Sequence, residues 1–402
     1  MTDSLESNIK AKFLSMRTMT NGFSEVFAFF NVAGFEIRVV GGCVRNLILE
    51  QPISDLDLIT NASPEQIISI LKNQQIKSLT HGIAHGTVVF LFKNIQYEIT
   101  TLRKDSKCDG RHARVEFIDS FVEDAARRDL TINAMSIDIE GNLYDYFAGV
   151  SDLNNKIIRF VGDPFKRIPE DYLRILRFYR FYSYYGKALD KNSRMACTQN
   201  AKYIKTLSYE RIWQEFSKIL IAPNSLETLK TMLADNILQF ILGNSIINFD
   251  LLERIHQICN ENNFDQSAIR NYFCLTYNSD IAHPLILSKK DKSYLMHFNI
   301  KFSNSSELEI NIDKYLYLYG KELLIEYLIL KAANENKKLD INLIILIQGL
   351  KIPVFPLQST DIIARFDVHG EALGKKIKAL KAVWLNSNCK LESAELLKEE
   401  NE

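Results

Sequence analysis

The feature that most constrains this chain is a short apolar strand that runs into two glycines and then a helix. The sequence predicts a strand over residues 35–40, a tight turn at Gly41 and Gly42, and a helix that opens at Val44. Such a turn presents backbone N–H groups at a helix N-terminus, where the helix dipole favours a phosphate. The stretch therefore predicts an anion-binding turn.

A second predicted strand follows ten residues later and carries two acidic residues. Because side chains alternate along a strand, Asp55 and Asp57 share one face and lie roughly 6–7 Å apart at the backbone. Two carboxylates beside an anion-binding turn suit a pair of Mg²⁺ ions and a nucleoside triphosphate. The plain alternative is a surface strand with two solvated acids next to an ordinary glycine turn.

A third carboxylate lies on another predicted strand, residues 95–103. Ile95, Tyr97 and Ile99 share one face of this strand, so Glu98 points the other way. If Glu98 lies beside the aspartate pair, it accepts the proton of an attacking hydroxyl or completes the ligand shell of the metal. Otherwise it is a solvated strand glutamate.

The elements around these strands predict a small mixed β-sheet with helices on one side. Apolar residues recur at helical spacing within residues 1–34, and Ser63 followed by Pro64 marks the start of another helix. The polar stretch 104–114, with Gly110 near its centre, predicts a mobile loop.

A cluster of charged and polar residues follows this loop. Arg127, Arg128, Asp129 and Asn133 lie close together in the sequence. Arginine forks suit triphosphate oxygens, and a nearby aspartate or asparagine can hold ribose hydroxyls. An Arg-Arg-Asp triplet also forms ordinary surface ion pairs, and that alternative stays open on these residues alone.

The net charge of zero conceals a segregation of charge along the 402 residues, a length that predicts two or three domains. Residues 1–150 carry a net charge of −4, residues 151–220 carry +7, and residues 221–402 carry −3. A basic middle between acidic flanks predicts a polyanion-binding segment, although a solvated basic helix has the same composition.

Within the basic segment, residues 163–169 predict a loop and residues 170–180 a helix. Asp171, Arg174 and Arg177 are three residues apart, which places them on one polar stripe of that helix. The alternative is an intrahelical ion pair that stabilises by about 0.3 kcal/mol. From about residue 225 onward the pattern is helical and holds no motif of catalytic spacing.

The compartment follows from the cysteines and the hydropathy pattern. Six scattered cysteines without paired spacing, and no secretory signal, indicate a reducing cytoplasm. No apolar run reaches the roughly 18–20 residues that cross a bilayer, so we expect no membrane partner.

Six stretches, taken in order, resemble the motifs of the class II tRNA nucleotidyltransferases, the bacterial CCA-adding enzymes of the polymerase-β superfamily. These stretches are Gly41–Arg45, Asp55–Asp57, Tyr97–Arg103, Arg127–Asp129 with Asn133, Glu170–Asp171 with Arg174 and Arg177, and Leu207–Arg211. The resemblance implies an α+β fold, with a nucleotidyltransferase head over residues 1–150, a neck over 151–224, and a helical body and tail over 225–402.

The resemblance also implies a role for each site residue. The catalytic carboxylates are Asp55, Asp57 and Glu98, and the two aspartates hold two Mg²⁺ ions. The nucleotide-binding residues are Gly41, Gly42, Arg45, Arg103, Arg127, Arg128, Asp129 and Asn133. The residues of base recognition are Glu170, Asp171, Arg174, Arg177 and Arg180. The implied partners are tRNA, CTP and ATP, with tRNA also on the helical body and tail, and no stable protein partner.

The chemistry of the bases supports the implied role of Asp171 and Arg174. Cytosine and adenine each present an exocyclic amino donor beside a ring-nitrogen acceptor, whereas uracil and guanine present the reverse pattern. A carboxylate accepts from the amino group, and a guanidinium donates to the ring nitrogen. One Asp–Arg pair can therefore accept CTP and ATP without a nucleic-acid template, and each wrong hydrogen-bond pair costs about 1–3 kcal/mol.

Three positions depart from the family pattern. Asn46 replaces the usual aspartate, Glu50 a common glycine, and Ala148 the first of two glycines. None of these changes removes a metal or base contact. They bear on turn geometry and not on the chemistry.

Rival functions share parts of these motifs. A bacterial poly(A) polymerase has an Arg-rich run where this chain has residues 79–86, and a CC-adding enzyme has a shortened loop at residues 104–114, so CCA addition to tRNA is favoured over both. An enzyme that adds only A stays open. A non-catalytic RNA-binding protein would not need the carboxylates, and a small-molecule nucleotidyltransferase would leave the basic neck unexplained.

Overall fold

The chain folds into two compact units, one ending at Ser245 and the other beginning at Ile246. The computed structural model describes residues 2–53, 56–79, 82–107, 114–243, 245–277, 289, 291, 294 and 311–398. The first unit combines a β-sheet with helices, and the described part of the second is helical. The predicted α+β class is confirmed. The finer division into head, neck, body and tail stays a prediction.

The sheet of the first unit is mixed, as predicted. Seven strands lie side by side, and β2 runs parallel to β5 while the other neighbours are antiparallel. The order across the sheet is β3-β4-β5-β2-β1-β8-β9. These strands are β1 (Ile37–Val40), β2 (Leu56–Thr60), β3 (Ser78–Leu79), β4 (Thr87–Phe92), β5 (Ile95–Thr101), β8 (Ser136–Ile137) and β9 (Leu143–Tyr144).

Alternation along the strands assigns their two faces. In β5 the side chains of Tyr97 and Ile99 are buried, whereas Gln96 and Glu98 are exposed. Strand β1 is buried along its whole length because strands pair with it on both sides. The sheet therefore buries one row of β5 side chains in the core and leaves the row with Glu98 available to a ligand.

Four helices precede or connect the first three strands of this sheet. The first predicted helical region is two helices, and its buried residues are those at helical spacing, Phe23, Val26, Phe27 and Phe30. Ser63 caps the fourth helix through a capping box, with Pro64 at the first helical position, as predicted. These helices are α1 (Thr2–Met19), α2 (Phe23–Val32), α3 (Gly42–Ile48) and α4 (Pro64–Asn73).

The predicted loop over residues 104–114 is wrong at both ends. Strand β6 (Arg103–Lys107) pairs antiparallel with β7 (Arg114–Phe117), so the polar stretch includes the arms of a hairpin. Backbone pairing outweighed the polar composition, which is a weak guide to strands. Residues 108–113, including Gly110, lie outside the described residues.

The predicted helix over residues 170–180 is also wrong at its start. Pro164 opens a helix over Pro164–Glu170, with Asp163 as its cap, where the sequence predicted a loop. Asp171 then adopts an extended conformation, and a separate helix begins at Leu173. Proline suits a first helical turn, and here the first of the two prolines occupies that position.

The remaining elements of the first unit are short strands and helices. Strands β10 (Ile157–Ile158) and β11 (Ala188–Leu189) pair in parallel. The helices are α5 (Phe121–Ala126), α6 (Gly149–Asn154), α7 (Pro164–Glu170), α8 (Leu173–Tyr185), α9 (Lys191–Asn200), α10 (Tyr209–Leu220), α11 (Ser225–Ala234) and α12 (Leu238–Leu242).

The second unit has a small apolar core near its C-terminal end. Trp384 lies edge-on to the rings of Tyr317 and Phe355, at centroid distances of 4.9 and 5.5 Å. The described helices of this unit are α13 (Phe249–Asn262), α14 (Ala268–Leu275), α15 (Ile312–Asn334, kinked at Gly320), α16 (Ile341–Gly349), α17 (Ser359–Phe366), α18 (Gly370–Asn386) and α19 (Ser393–Leu396).

Two expectations from the sequence concern membrane-spanning helices and the cysteines. Among the described residues, no helix combines the length and the apolar character that a bilayer crossing requires. Four of the five cysteines in that part of the chain are buried, and the fifth, Cys389, is half-buried, which fits packing residues.

Candidate active site

The predicted glycine turn lies between β1 and α3. Gly41 precedes the first turn of α3 with a φ of 68°, and its N–H donates to the carbonyl oxygen of Met135 at 3.1 Å. This left-handed φ favours glycine. A Cβ on Gly41 would lie 3.3 Å from a guanidinium nitrogen of Arg128. Glycine at position 41 therefore permits the turn and leaves room for the Arg128 guanidinium beside the N-terminus of α3.

The described carboxylates lie on adjacent strands. Asp57 on β2 is the direct register partner of Glu98 on β5, so their side chains share one face of the sheet. Both residues line the same cavity. Asp55, predicted to share the face of Asp57, lies outside the described residues. The structure thus brings together two of the three predicted acids.

This cavity, which we call the central cavity, has a volume of about 830 Å³ and lies within the first unit. Nine basic and four acidic side chains line it, an excess of five positive charges that suits a polyanionic ligand. Of the predicted residues, it contains Gly41, Gly42, Arg45, Asp57, Glu98, Arg103, Arg127, Arg128, Asp129, Asn133, Asp171, Arg174, Arg177 and Arg180.

A chain of polar contacts crosses the cavity from α3 to α8. A guanidinium N–H of Arg45 donates to the side-chain oxygen of Asn133, and the amide of Asn133 donates to Asp129 at 3.4 Å. The other carboxylate oxygen of Asp129 accepts from Nε of Arg177 at 2.6 Å. The Arg45 guanidinium also lies 4.5 Å from the ring centre of Tyr185. These contacts fix four of the predicted side chains relative to one another.

Asp129 keeps its charge inside this chain of contacts. Burial opposes ionisation of the carboxyl, but the Arg177 guanidinium outweighs that effect. Hydrogen bonds from Arg177, Asn133 and the N–H of Leu130 add to it and hold the pKa of Asp129 at about 2. The carboxylate is therefore an acceptor at neutral pH.

Two adjacent arginines in the central cavity share one carboxylate that sequence reasoning missed. Arg127 and Arg128 both pair with Asp124, whose side chain is fully buried on α5. The 3- and 4-residue spacing from Asp124 to the arginines was visible in the sequence and is a known signal for helical ion pairs. The predicted site rests on the adjoining Arg-Arg-Asp triplet and does not include Asp124.

One side of the cavity, which we call the helical wall, is lined by Asp171 and by residues of α8 and α10. The carboxylate of Asp171 makes two contacts on this wall. One oxygen of this carboxylate accepts from the N–H of Leu173 at 3.1 Å, and the other accepts from Arg211 on α10 at 2.8 Å. Asp171 lies between α7 and α8 and pairs with Arg211 of α10, so the predicted helical stripe of Asp171 with Arg174 is wrong. Arg211 belongs to a motif that the sequence singled out, but it was not among the predicted site residues.

Glu170 does not line the cavity. Its carboxylate pairs with Arg174 and with Arg167 instead. A further N–H of Arg167 donates to the main-chain oxygens of Arg127 and Arg128, to the latter at 3.0 Å. Glu170 thus orients Arg174, which lines the cavity, and Arg167, which contacts the main chain of two arginines that line it.

A second buried carboxylate that the sequence did not identify is Glu215 on α10. It lies 2.8 Å from Nε of Arg180 and 3.9 Å from a terminal nitrogen of Arg177. The side chain of Glu215 is 8% exposed. Only the fold could reveal this group, because it approaches the arginines from a different helix.

Comparison with known protein families gives two matches within the first unit. Residues 37–159 match the poly A polymerase head domain, and residues 188–244 match the probable RNA and SrmB-binding site of polymerase A. The first match holds the glycine turn, Asp57, Glu98 and the Arg127–Arg128 pair. The second holds Arg211 and Glu215.

Two curated proteins with similar sequences carry names that refer to CCA. The chain is 42% identical over 209 residues to CCA tRNA nucleotidyltransferase 1, mitochondrial, of Homo sapiens, over 50% of this chain and 48% of that protein. It is 42% identical over 214 residues to the CCA-adding enzyme of Lactobacillus helveticus, over 52% of this chain and 53% of that one. The chain therefore spans about half the length of the curated relatives it matches.

A solved structure shares the fold over nearly the whole chain. The Bacillus stearothermophilus CCA-adding enzyme in complex with CTP superposes with a TM-score of 0.73 at 24% identity, over 94% of this chain and 96% of that one. The two family matches and the names of the relatives agree with the family resemblance of the sequence motifs. Residues 37–159 thus match the poly A polymerase head domain, and over about half of its length the chain is similar to proteins named CCA tRNA nucleotidyltransferase and CCA-adding enzyme.

Proposed function

We propose that this protein adds C and A nucleotides from CTP and ATP to the 3′ end of tRNA without a template and releases pyrophosphate. The observation that carries the proposal is the central cavity, in which Asp57 and Glu98 share one wall with a glycine turn and many arginines. The names of the curated relatives support CCA addition.

The nucleotide would bind along the sheet side of the cavity. The N–H groups at the start of α3, together with Arg45, Arg127 and Arg128, provide donors for the triphosphate. Asp129 and Asn133 lie between these donors and the helical wall, where they suit the ribose hydroxyls. The excess of positive charge in the cavity matches the charge of a nucleoside triphosphate.

The acidic residues fit a magnesium site. Carboxylate oxygens are ligands that Mg²⁺ prefers, and the ion completes its shell with water and substrate phosphate, so two protein carboxylates on one face suffice for one side of a site. Among the described residues there is no group of three or more His, Cys, Asp or Glu that could hold a metal by itself. Asp55 and Asp57, with Glu98, would hold two Mg²⁺ ions, which neutralise phosphate charge when bound.

The reaction is a displacement at the α-phosphate. The 3′ hydroxyl oxygen of the tRNA forms a bond to the α-phosphorus, and the bond to the bridging oxygen of the β-phosphate breaks. Glu98 either takes the proton of that hydroxyl or completes the metal shell. Arg127 and Arg128 stabilise the negative charge that develops on the departing pyrophosphate.

The base would be read on the helical wall. Arg211 and the N–H of Leu173 fix the carboxylate of Asp171 at the edge of the cavity, where it can only accept hydrogen bonds in its ionised form. Arg174 lines the same wall and is oriented by Glu170. An acceptor beside a donor matches cytosine and adenine and rejects uracil and guanine.

The tRNA would be held mainly through its phosphates, by the lysines and arginines of residues 151–220 and by the helical tail. Binding should therefore weaken steeply as salt rises, because each neutralised phosphate releases counterions. A titration of labelled tRNA at several salt concentrations measures the slope. A flat response would contradict this mode of binding.

Extension of defined tRNA ends tests the function. The purified protein with Mg²⁺, CTP and ATP is expected to complete tRNA that lacks CCA, CA or A, and to stop there on a sequencing gel. A long A tail would identify a poly(A) polymerase, the second candidate, which the name of the head-domain family favours. Growth only of tRNA ending in CC would identify an A-adding enzyme. No extension of any end would contradict nucleotidyl transfer to tRNA.

A further inference from the structure

Asp124 is a buried acid that takes no direct part in the proposed reaction. It lies within α5, and its side chain has no exposed surface. An ionised carboxylate in the interior of a protein requires cationic or hydrogen-bonding partners. In this protein those partners are side chains of the central cavity.

The contacts of Asp124 form two separate forks. Its Oδ1 accepts from Nε and Nη2 of Arg127 at 2.9 and 2.7 Å. Its Oδ2 accepts from the same two atoms of Arg128 at 3.2 and 3.0 Å. Each guanidinium therefore uses one edge for Asp124 and keeps its other donors for a ligand.

The carboxylate also reaches a third residue of the cavity. The backbone N–H of Arg103 donates to Oδ1 of Asp124 at 3.3 Å, where β6 begins. Burial opposes the charge of Asp124, but the two guanidinium groups outweigh it and hold the pKa of this carboxyl below its usual value. One buried acid is thus bonded to the guanidinium groups of Arg127 and Arg128 and to the main chain of Arg103.

This arrangement solves a geometric problem. Neighbouring residues at the end of a helix point in different directions, and two guanidinium groups repel each other. A single carboxylate between them offsets the repulsion and draws both side chains to one side. Arginine side chains that are already ordered lose less entropy when a ligand binds.

We propose that Asp124 is the positioning residue of the triphosphate site, because it holds Arg127 and Arg128 in the orientation that binds the β- and γ-phosphates. The proposal rests on the proposed nucleotide site. Its consequence is specific: the contribution of Asp124 to affinity depends on how many phosphates the ligand carries. The carboxylate itself touches no substrate.

Equilibrium binding of CTP and CMP to the full chain, without tRNA, tests this consequence. Asp124→Asn keeps the shape but turns an N–H₂ group toward one guanidinium. We expect the variant to bind CTP at least about tenfold more weakly and CMP within about twofold of the wild type. A merely structural role would weaken both ligands alike.

The matched control is Asp235→Asn. Asp235 is also buried, and it binds Arg194 through three N–H···O contacts of 2.7 to 3.0 Å, but neither residue lines the central cavity. This variant should lose stability and keep its affinity for CTP. Should Asp124→Asn fail to fold, Asp124→Glu keeps the charge at a shifted position, and a selective loss of CTP affinity is expected there too.

A triple variant isolates the route of the effect. Arg127→Gln with Arg128→Gln should itself weaken CTP, and adding Asp124→Asn to that pair should cause no further loss. An additive loss, an equal loss for CMP, or unchanged CTP affinity in a folded variant would overturn the proposal. Failure of the wild type to bind CTP would instead contradict the proposed nucleotide site. That outcome is therefore distinguishable from a failure of the proposal for Asp124.

Discussion

The two walls of the central cavity hold their charged groups by different means. On the side of the cavity formed by the sheet, which we call the sheet wall, Asp57 and Glu98 lie side by side because the backbones of β2 and β5 pair in register. On the helical wall, Asp171 and Arg177 are fixed by ion pairs that link different helices and turns. A register set by many backbone hydrogen bonds survives the loss of one side chain. An ion-pair network does not, so substitutions should separate activity from stability on one wall and couple them on the other.

The largest effect should come from the sheet wall. Asp57→Ala is expected to lower kcat for CTP addition by more than about 10³-fold, because the reaction loses a carboxylate at its centre. The melting temperature should stay within about 1 °C, since the strand pairing remains. Single-turnover extension of tRNA measures the rate, and Glu25→Gln, an exposed acid on α2, is the control. A large drop in melting temperature would contradict the expected separation of activity from stability on the sheet wall.

On the helical wall, Arg177→Met should cost about 3 kcal/mol of unfolding free energy, because it leaves Asp129 buried without its cation. The control is Arg159→Met, because the side chain of Arg159 is 47% exposed and its ion pairs are long, at 3.4 and 3.7 Å, so they should contribute less than about 1 kcal/mol. Urea unfolding measures both. Equal losses in the two variants would remove the distinction.

The same pair predicts a pH dependence. The folded pKa of Asp129 is about 2, below its unfolded value, so its stabilisation is fully present above about pH 4. It amounts to about 2 kcal/mol and is lost as the pH falls from about 4 to about 2. Arg177→Met should flatten this part of the stability curve. A curve as steep as that of the wild type would show that Arg177 is not the cause.

Asp171→Ala should blur the choice of nucleotide more than it lowers turnover. Loss of one acceptor should reduce the preference for CTP over UTP by about 10- to 100-fold, the equivalent of about 1–3 kcal/mol. Competitive incorporation assays measure the ratio. Asp190→Ala, which removes the cap of α9 outside the cavity, is the control. Unchanged selectivity would refute the role of Asp171.

The smallest effect is expected from the backbone at Ala148, which precedes α6. Ala148 has a φ of 58°, a left-handed conformation that is strained for alanine, so Ala148→Gly should raise the free energy of unfolding by less than about 1 kcal/mol. Activity should stay within about twofold. At the adjoining Gly149 a Cβ would overlap the carbonyl oxygen of Thr131, so Gly149→Ala should destabilise instead. Calorimetry of both variants compares them.

The contrast between the walls also explains how far the sequence could be interpreted. Strand alternation predicted that Glu98 points away from the apolar face of Tyr97 and Ile99. In the structure Tyr97 and Ile99 are buried and Glu98 is exposed. Local rules also located the turn at Gly41 and the cap at Ser63. Local periodicity was sufficient because these features depend on neighbours within a few residues.

The features that were missed depend on distant parts of the chain. The pairing of Asp171 with Arg211 joins residues forty positions apart, and that of Arg180 with Glu215 joins thirty-five. The break at Asp171 was missed because a continuous stripe of Asp171, Arg174 and Arg177 looked helical. The positions of such ion pairs depend on how the helices pack, which a single sequence does not express.

The parallel pairing of β2 with β5 has a consequence for synthesis of the protein. Parallel neighbours cannot be joined by a tight hairpin, so about forty residues separate Asp57 from its partner Glu98. A chain emerging from the ribosome therefore cannot assemble its acidic face until β5 has been translated. The helical wall is completed later still, with α10. Truncated nascent chains that end before residue 209 should therefore contain the acidic face but lack Arg211, the partner of Asp171.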